Sequence, residues 1–274
     1  MPTHDLYIIA AGCGSRMNSE LPKALVPITN EPCLTTTLQQ VAAKFRRVFV
    51  VTNVLARQQW RDYFASLDAD YGDLARDVLN LPIRSGLGDG HATLQGLLAA
   101  ESMQGEGSLA QDIVVTWGDV FFQHSEIIDE LLSIGLHGPG LFPAVHKVRP
   151  YVSLLVNEKM QCVCADFSKY GEQRLEGFHD QSVFRFNRSR LKATLCELHS
   201  ALWKGERYIT PGGELSLLYA AHHLYNCGEP VYVYESAYPT LSFNTVEEVA
   251  AIQQEISVRW RRQSGAGRRA GAIS

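Results

Sequence analysis

From Ile8 to Ile28 the chain reads IIAAGCGSRMNSELPKALVPI. Gly12 and Gly14 follow an apolar stretch, with Ser15 beside them, and two cations, Arg16 and Lys23, come next. Glycines tolerate positive φ and let backbone approach a ligand closely. Successive exposed N–H groups then form a concave nest for an anion, and the two cations add positive charge. The chemistry on offer is phosphate binding. Two common phosphate loops do not fit. A dinucleotide loop wants glycine where Met17 stands and a helix running on where Pro22 interrupts, and a Walker A loop wants a glycine followed by Lys and Ser or Thr. On these residues alone, a glycine-rich turn with a solvated Arg16 and Lys23 explains the pattern equally well.

The elements around this loop narrow the choice. DLYIIA (5–10), RVFVVT (47–52), VLNLPI (78–83) and DIVVTW (112–117) are short apolar runs of the kind a strand buried on both faces requires. Helical patterns lie between and after them at 33–45, 55–67, 90–102 and 125–134. This alternation predicts an α/β fold, a Rossmann-like open, mixed and mostly parallel sheet with helices on both faces. Ligands of such sheets collect at the carboxyl ends of the strands, where residues 12–16 stand. Beyond 138 shorter strands follow in GLFPAVHKV, VSLLVNE, QCVCADF and QSVFRFN, then helices at 189–203 and 213–226, a strand at 230–236 and a last helix from 245. The reading is one domain over 1–262 with a mixed-sheet subregion at about 139–212, and a disordered tail at 263–274.

Composition excludes several classes. A formal net charge of -4 over 274 residues gives no basic field for nucleic acid. No apolar run is long enough to span a bilayer, and no leader pattern is read at the N-terminus. Six scattered cysteines without zinc spacing suggest reduced thiols and a cytoplasmic setting.

The order AAGCGSRM, short gap, PKALVPI resembles the signature of the nucleoside-triphosphate transferase family. Further likeness lies in GLGDGHATLQGL (86–97), VVTWGDVFF (114–122) and SFNTVEEVAAI (242–252). It is strongest to single-domain sugar-1-phosphate nucleotidyltransferases and to the pyrophosphorylase half of the bifunctional N-acetylglucosamine-1-phosphate enzyme. The resemblance implies a GT-A-like nucleotidyltransferase fold and transfer of NMP from an NTP to a phosphorylated acceptor, a sugar 1-phosphate, with release of pyrophosphate. It implies that Ala11, Gly12, Gly14 and Ser15 contact the nucleotide, with Gly88, Asp89 and Gly90 near the base. Arg16 would clamp the leaving phosphates and Lys23 would bridge the α-phosphate and the acceptor. Asp119 and Asn244 would hold Mg2+, an ion that takes one or two protein oxygens and keeps phosphate and water oxygens besides. For both residues a helix-capping role stays open. Ser153 and Asp166 would face the acceptor, with Asp180 and Lys169 weaker candidates.

The expected partners are an NTP and a small phosphorylated acceptor, not nucleic acid or membrane; a homo-oligomer is admissible. Two departures bear on specificity. Ile83 or Arg84 stands near where uridylyltransferases carry a base-reading glutamine, and Ser153 stands near a common Tyr-Gly glycine. A cytidylyltransferase for phosphocholine or a phosphonate is therefore the alternative reading, and a catalytically silent nucleotide-sugar sensor a third.

Overall fold

Strand β1 (Asp5–Ile9) has every side chain buried, because helices cover both faces of the sheet it centres. Tyr7 and Ile9 point into one apolar core with Phe49 and Val51, and Leu6 and Ile8 point into the other with Leu34, Leu38 and Trp60. Such a strand cannot alternate apolar with polar residues, which is why its sequence reads as a continuous run. The computed structural model describes residues 2–12, 17, 20–84, 86–171 and 173–257. Gly14, Ser15 and Arg16 of the phosphate loop, and the tail at 263–274, lie outside the described residues.

Parallel strands β2 (Arg47–Asn53) and β3 (Val78–Ile83) extend the sheet on one side of β1, and β4 (Asp112–Trp117) lies parallel on the other. A short strand β5 (Val120–Phe122) follows at once. The chain then forms β6 (Gly140–Val148), β7 (Val152–Val156), β8 (Cys162–Phe167), β9 (Glu176–Asp180), β10 (Val183–Asn187), β11 (Tyr232–Glu235) and β12 (Thr240–Ser242). Ten strands join in the order β3-β2-β1-β4-β10-β6-β9-β7-β8, with β11 beside β6. β10 is antiparallel to β4 and β6, β9 to β6 and β7, and β8 to β7, while β11 is parallel to β6. Seven of the ten strands (β1–β4, β6, β7 and β11) thus run one way, and the mixed, mostly parallel sheet expected from the sequence is present. The strands of the 139–212 region continue this same sheet. β5 and β12 form a separate two-stranded ribbon.

The helices are α1 (Cys33–Val41), α2 (Arg57–Asp70), α3 (Gly72–Ala75), α4 (Asp89–Gln104), α5 (Glu126–Ser133), α6 (Arg188–Leu202), α7 (Leu218–Asn226) and α8 (246–257). Two differ from the sequence reading. α1 gives way at Ala42 to a 3-10 turn. The helix expected over 213–226 begins only at Leu218, because residues 215–217 are drawn across the glycine segment before α4. There the Gly90 N–H donates to the Leu215 carbonyl at 2.9 Å, and the Leu215 N–H to that of Leu87 at 2.8 Å. No helix among the described residues is long and apolar enough to cross a membrane.

Candidate active site

The carboxyl ends of β1 and β4 meet the chain entering α1, and the packing there is set by small residues. Lys23 opens a 3-10 turn, Lys23–Leu25, behind Pro22, whose ring fixes φ. Ala24 and Leu25 are buried and anchor the turn. Gly118, just past β4, lies so close to it that a Cβ there would come within 2.8 Å of the Ala24 Cβ and 2.9 Å of the Ala10 Cβ. The Gly118 N–H also donates to the Ile9 carbonyl at 2.9 Å. Lys23 is thereby pressed against the strand end that carries Asp119.

The Lys23 ammonium donates to Asp119 Oδ2 and, at 3.0 Å, to Asn244 Oδ1. Lys23 and Asp119 side chains are each 17% exposed. Lys23 also stands 5.5 Å from the centre of the Phe243 ring. Three residues far apart in sequence, singled out for one step, therefore share one cluster. Asp119 caps no helix, since β5 begins at the next residue and α5 only at Glu126. Asn244 is not the cap of α8 either. The Glu248 carboxylate accepts from the N–H groups of Asn244 and, at 3.1 Å, Thr245, while Thr245 Oγ1 accepts from the Glu248 N–H at 3.3 Å. This reciprocal capping box leaves the Asn244 side chain for Lys23. Thr245-Val-Glu-Glu248 carries that signature in the sequence, but Glu248 was not among the residues expected at the site.

A cleft of about 660 Å³ opens here. Ala11, Gly12, Gly86, Gly88 and Asp89 line it on the β1 side, with Lys23, Asp119 and Asn244. Gly88 has φ 96°, and a Cβ there would strike the Leu215 carbonyl; a Cβ on Gly90 would come within 2.7 Å of the Ser216 carbonyl carbon. These glycines thus admit the 215–217 segment against their own loop, and Gly90 does not itself line the cleft. Asp89 fastens the same contact, accepting from the Leu217 N–H at 2.5 Å. Burial pushes its carboxyl up to about 6, against the lowering effect of the bonds to Leu217 and Ser216. His91, one turn in, is not in the cleft; it packs with His199, Trp203 and Tyr208.

The far side of the cleft comes from the antiparallel half of the sheet, its connecting loops and the segment before α7. Lys147, Tyr151, Val152, Phe167, Lys169, Asp180 and Glu214 line it. Asp180 is 5% exposed and accepts from the Ser182 N–H at 2.8 Å. Ser153 and Asp166 are register partners on β7 and β8 but do not line the cleft. Asp166 pairs with Arg174 at 2.7 Å, and Ser153 Oγ is buried without a hydrogen-bond partner among the described residues. Their neighbours Val152 and Phe167, also register partners, face the cleft instead. Lys147, Tyr151 and Glu214 carried no sequence signal, since only the pairing of β6, β7 and β9 brings the strand residues together.

A model of the MobA-like NTP transferase domain matches residues 6–238 of this chain. The chain belongs to the MobA-like NTP transferase family. That family is one of nucleotidyltransferases, in line with the resemblance carried by AAGCGSRM and PKALVPI. Among curated relatives, the bifunctional protein GlmU of Dinoroseobacter shibae is 36% identical over 124 residues, which is 45% of this chain and 24% of that protein. This NTP transferase chain thus matches about a quarter of the length of that relative. Two solved structures share its fold. The inositol-1-phosphate CTP transferase from T. maritima superposes with a TM-score of 0.67 at 14% identity, over 93% of this chain and 97% of the other. HddC from Yersinia pseudotuberculosis complexed with GMP-PN superposes with a TM-score of 0.63 at 14% identity, over 92% and 99%.

The residues present suit a divalent metal. The donors that meet at Lys23 are a carboxylate and an amide carbonyl, both oxygen, as Mg2+ prefers. A cation, the Lys23 ammonium, already stands between them. Among the described residues no group of three or more His, Cys, Asp or Glu is placed to hold a metal alone. An ion at Asp119 and Asn244 would need substrate oxygens to complete its shell.

Proposed function

We propose that the protein transfers NMP from an NTP to a sugar 1-phosphate, giving a nucleoside-diphosphate sugar and pyrophosphate. The observation that carries this reading is the meeting of Lys23, Asp119 and Asn244 at the strand end that opens onto the cleft. An oxygen of the acceptor phosphate attacks the α-phosphorus, the bond from that phosphorus to the bridging oxygen breaks, and pyrophosphate leaves. A phosphate monoester is largely dianionic at neutral pH, so no general base is required. What the reaction needs is alignment and neutralisation of charge. Ala11, Gly12 and the 86–90 segment would seat the nucleotide through backbone groups, together with Gly14 and Ser15. Arg16 would hold the leaving phosphates, and Lys23 would meet the α-phosphate and the incoming oxygen. Mg2+ held by Asp119 and Asn244 would supply further neutralisation of the triphosphate. Asp180 would hold the acceptor from the opposite wall.

One observation favours the second reading, a cytidylyltransferase for phosphocholine or a related phosphonate. The Lys169 ammonium rests 4.5 Å from the centre of the Tyr170 ring and 6.0 Å from that of Phe167, beside the cleft. Those ring faces suit an ammonium, and an acceptor's ammonium would take them with Lys169 swung aside. A grid of NTPs against sugar 1-phosphates, phosphocholine and phosphonates, with Mg2+ and pyrophosphate detection, tests both readings. Pyrophosphate release with a sugar 1-phosphate supports the first, and release only with CTP and an ammonium-bearing acceptor supports the second. An NTP that binds while no acceptor elicits pyrophosphate would make the protein a sensor and overturn both.

A further inference from the structure

The Lys23 ammonium donates to the same two oxygens, Asp119 Oδ2 and Asn244 Oδ1, that are the metal donors of the function proposed above. An ion at about 2.1 Å from its oxygen ligands would occupy the space Nζ now fills. Metal and ammonium are therefore alternatives at this place. Each side chain of the Lys23–Asp119 pair is only 17% exposed, so water compensates little for a broken contact. A bare divalent ion entering here would strip Lys23 of both partners and leave two cations side by side. Another carboxylate of the cleft, that of Glu248, is already committed to the N–H groups of Asn244 and Thr245. A triphosphate changes this balance, because its oxygens give a displaced Lys23 a new partner and complete the shell of the ion. The lysine stem has four carbons and rotatable donors, so the move needs no backbone change.

We propose that Lys23 masks the metal site of the free protein, and that the divalent ion is taken up as its nucleoside triphosphate complex, with Lys23 passing from Asp119 and Asn244 onto the phosphates. The inference rests on the nucleotidyltransferase reading of this cleft. It makes Lys23 the coupler of metal and nucleotide binding, a coupling that runs equally in both directions.

The test is Mn2+ binding to the full chain, read by electron paramagnetic resonance of the free ion at fixed ionic strength. Wild type, Lys23→Met, Lys23→Gln, Asp119→Ala, and Lys23→Met combined with Asp119→Ala are compared, each with and without a non-hydrolysable NTP analogue, beside the analogue alone. Circular dichroism melts accompany every sample. We expect Lys23→Met to bind Mn2+ alone about 10- to 100-fold more tightly than wild type, the range of ordinary coupling factors. Adding Asp119→Ala should abolish that gain, and the analogue should let wild type take up the ion. Lys23→Gln keeps a donor but no charge and should fall between. Equal Mn2+ affinity in wild type and Lys23→Met, with the analogue still recruiting the ion to wild type, would overturn the masking and leave the proposed function standing. Analogue that recruits no ion, or recruitment unaffected by Asp119→Ala, would overturn the metal site and the proposed function with it.

Discussion

Lys23 is the side chain on which most of the chemistry converges. Its two partners in the free protein are Asp119 and Asn244, which under the proposed function would lie beside the α-phosphate, and its charge would then stand where bonds form and break. Interactions that strengthen only in the transition state raise kcat rather than lower KM. Lys23→Ala should therefore reduce kcat about 100- to 1000-fold, the usual cost of one such contact, with a smaller change in the KM for NTP. Steady-state kinetics decide it, and a rise in KM alone would place Lys23 in ground-state binding. Asp89 permits a second test. Burial raises its carboxyl to about 6 from the ordinary 3.8. Between those two values the folded protein holds a proton that the unfolded chain has released, so this group's contribution to stability rises as pH falls through about 6 and is unfavourable above it. Asp89→Asn keeps an acceptor for the Leu217 N–H and removes the charge. It should melt higher than wild type at pH 7.5, and the gap should close as the pH is lowered toward the ordinary carboxylate value. A gap that is the same at both ends of a pH series of melts would contradict the assignment.

At the scale of elements, the site depends on close approach. A methyl group on Gly118 would push against Ala24 and Ala10, and so against the turn that carries Lys23. Gly118→Ala should lose most activity while keeping the circular dichroism spectrum of the fold; full activity would show that the turn is not held by this contact. The capping box at the start of α8 sets Asn244 in the same way. Thr245→Ala should cost about 1 kcal/mol of stability and raise the Mg2+ concentration needed for half-maximal turnover, both measurable on one preparation. The elements that carry this half of the site were legible in the sequence. β1, β2 and β4 are largely apolar because they are buried on both faces, β3 at the sheet edge is only partly buried, and Gly118-Asp119 directly follows β4. The acceptor wall was less legible. β9 reads EGFHD, with a glycine and charged residues that disguise a strand, and it forms because β6 and β7 flank it. Ser153 and Asp166 differ from the cleft-lining Val152 and Phe167 by one position each, and side chains alternate faces along a strand. A resemblance can point to the right strands there and still name the neighbour of the residue that faces the cleft. The 213–217 segment was read as helix because nothing local shows that Gly88 and Gly90 make room for it.

At the scale of the whole molecule, the sheet joins two unlike halves. Parallel strands end at the glycine segments and at Gly118-Asp119, antiparallel strands build the opposite wall, and a cleft of about 660 Å³ lies between them. Residues 215–217 tie the halves together, since they bond to the 87–90 segment while Glu214 and Leu218 on either side line the cleft. A metal–NTP complex bound there should stabilise the whole domain by about 2.7 kcal/mol at a hundredfold excess over Kd, seen as a rise in melting temperature that chelator reverses. The central claim is that this cleft transfers a nucleotide through Lys23, Asp119 and Asn244. The most direct measurement is pyrophosphate release by wild type, Asp119→Asn and Asp119→Ala, with melting temperature recorded on each. Asp119→Ala should lose nearly all release with little change in melting, and Asp119→Asn, which keeps an oxygen but not the charge, should fall between. Near-normal release by a folded Asp119→Ala would contradict the central claim.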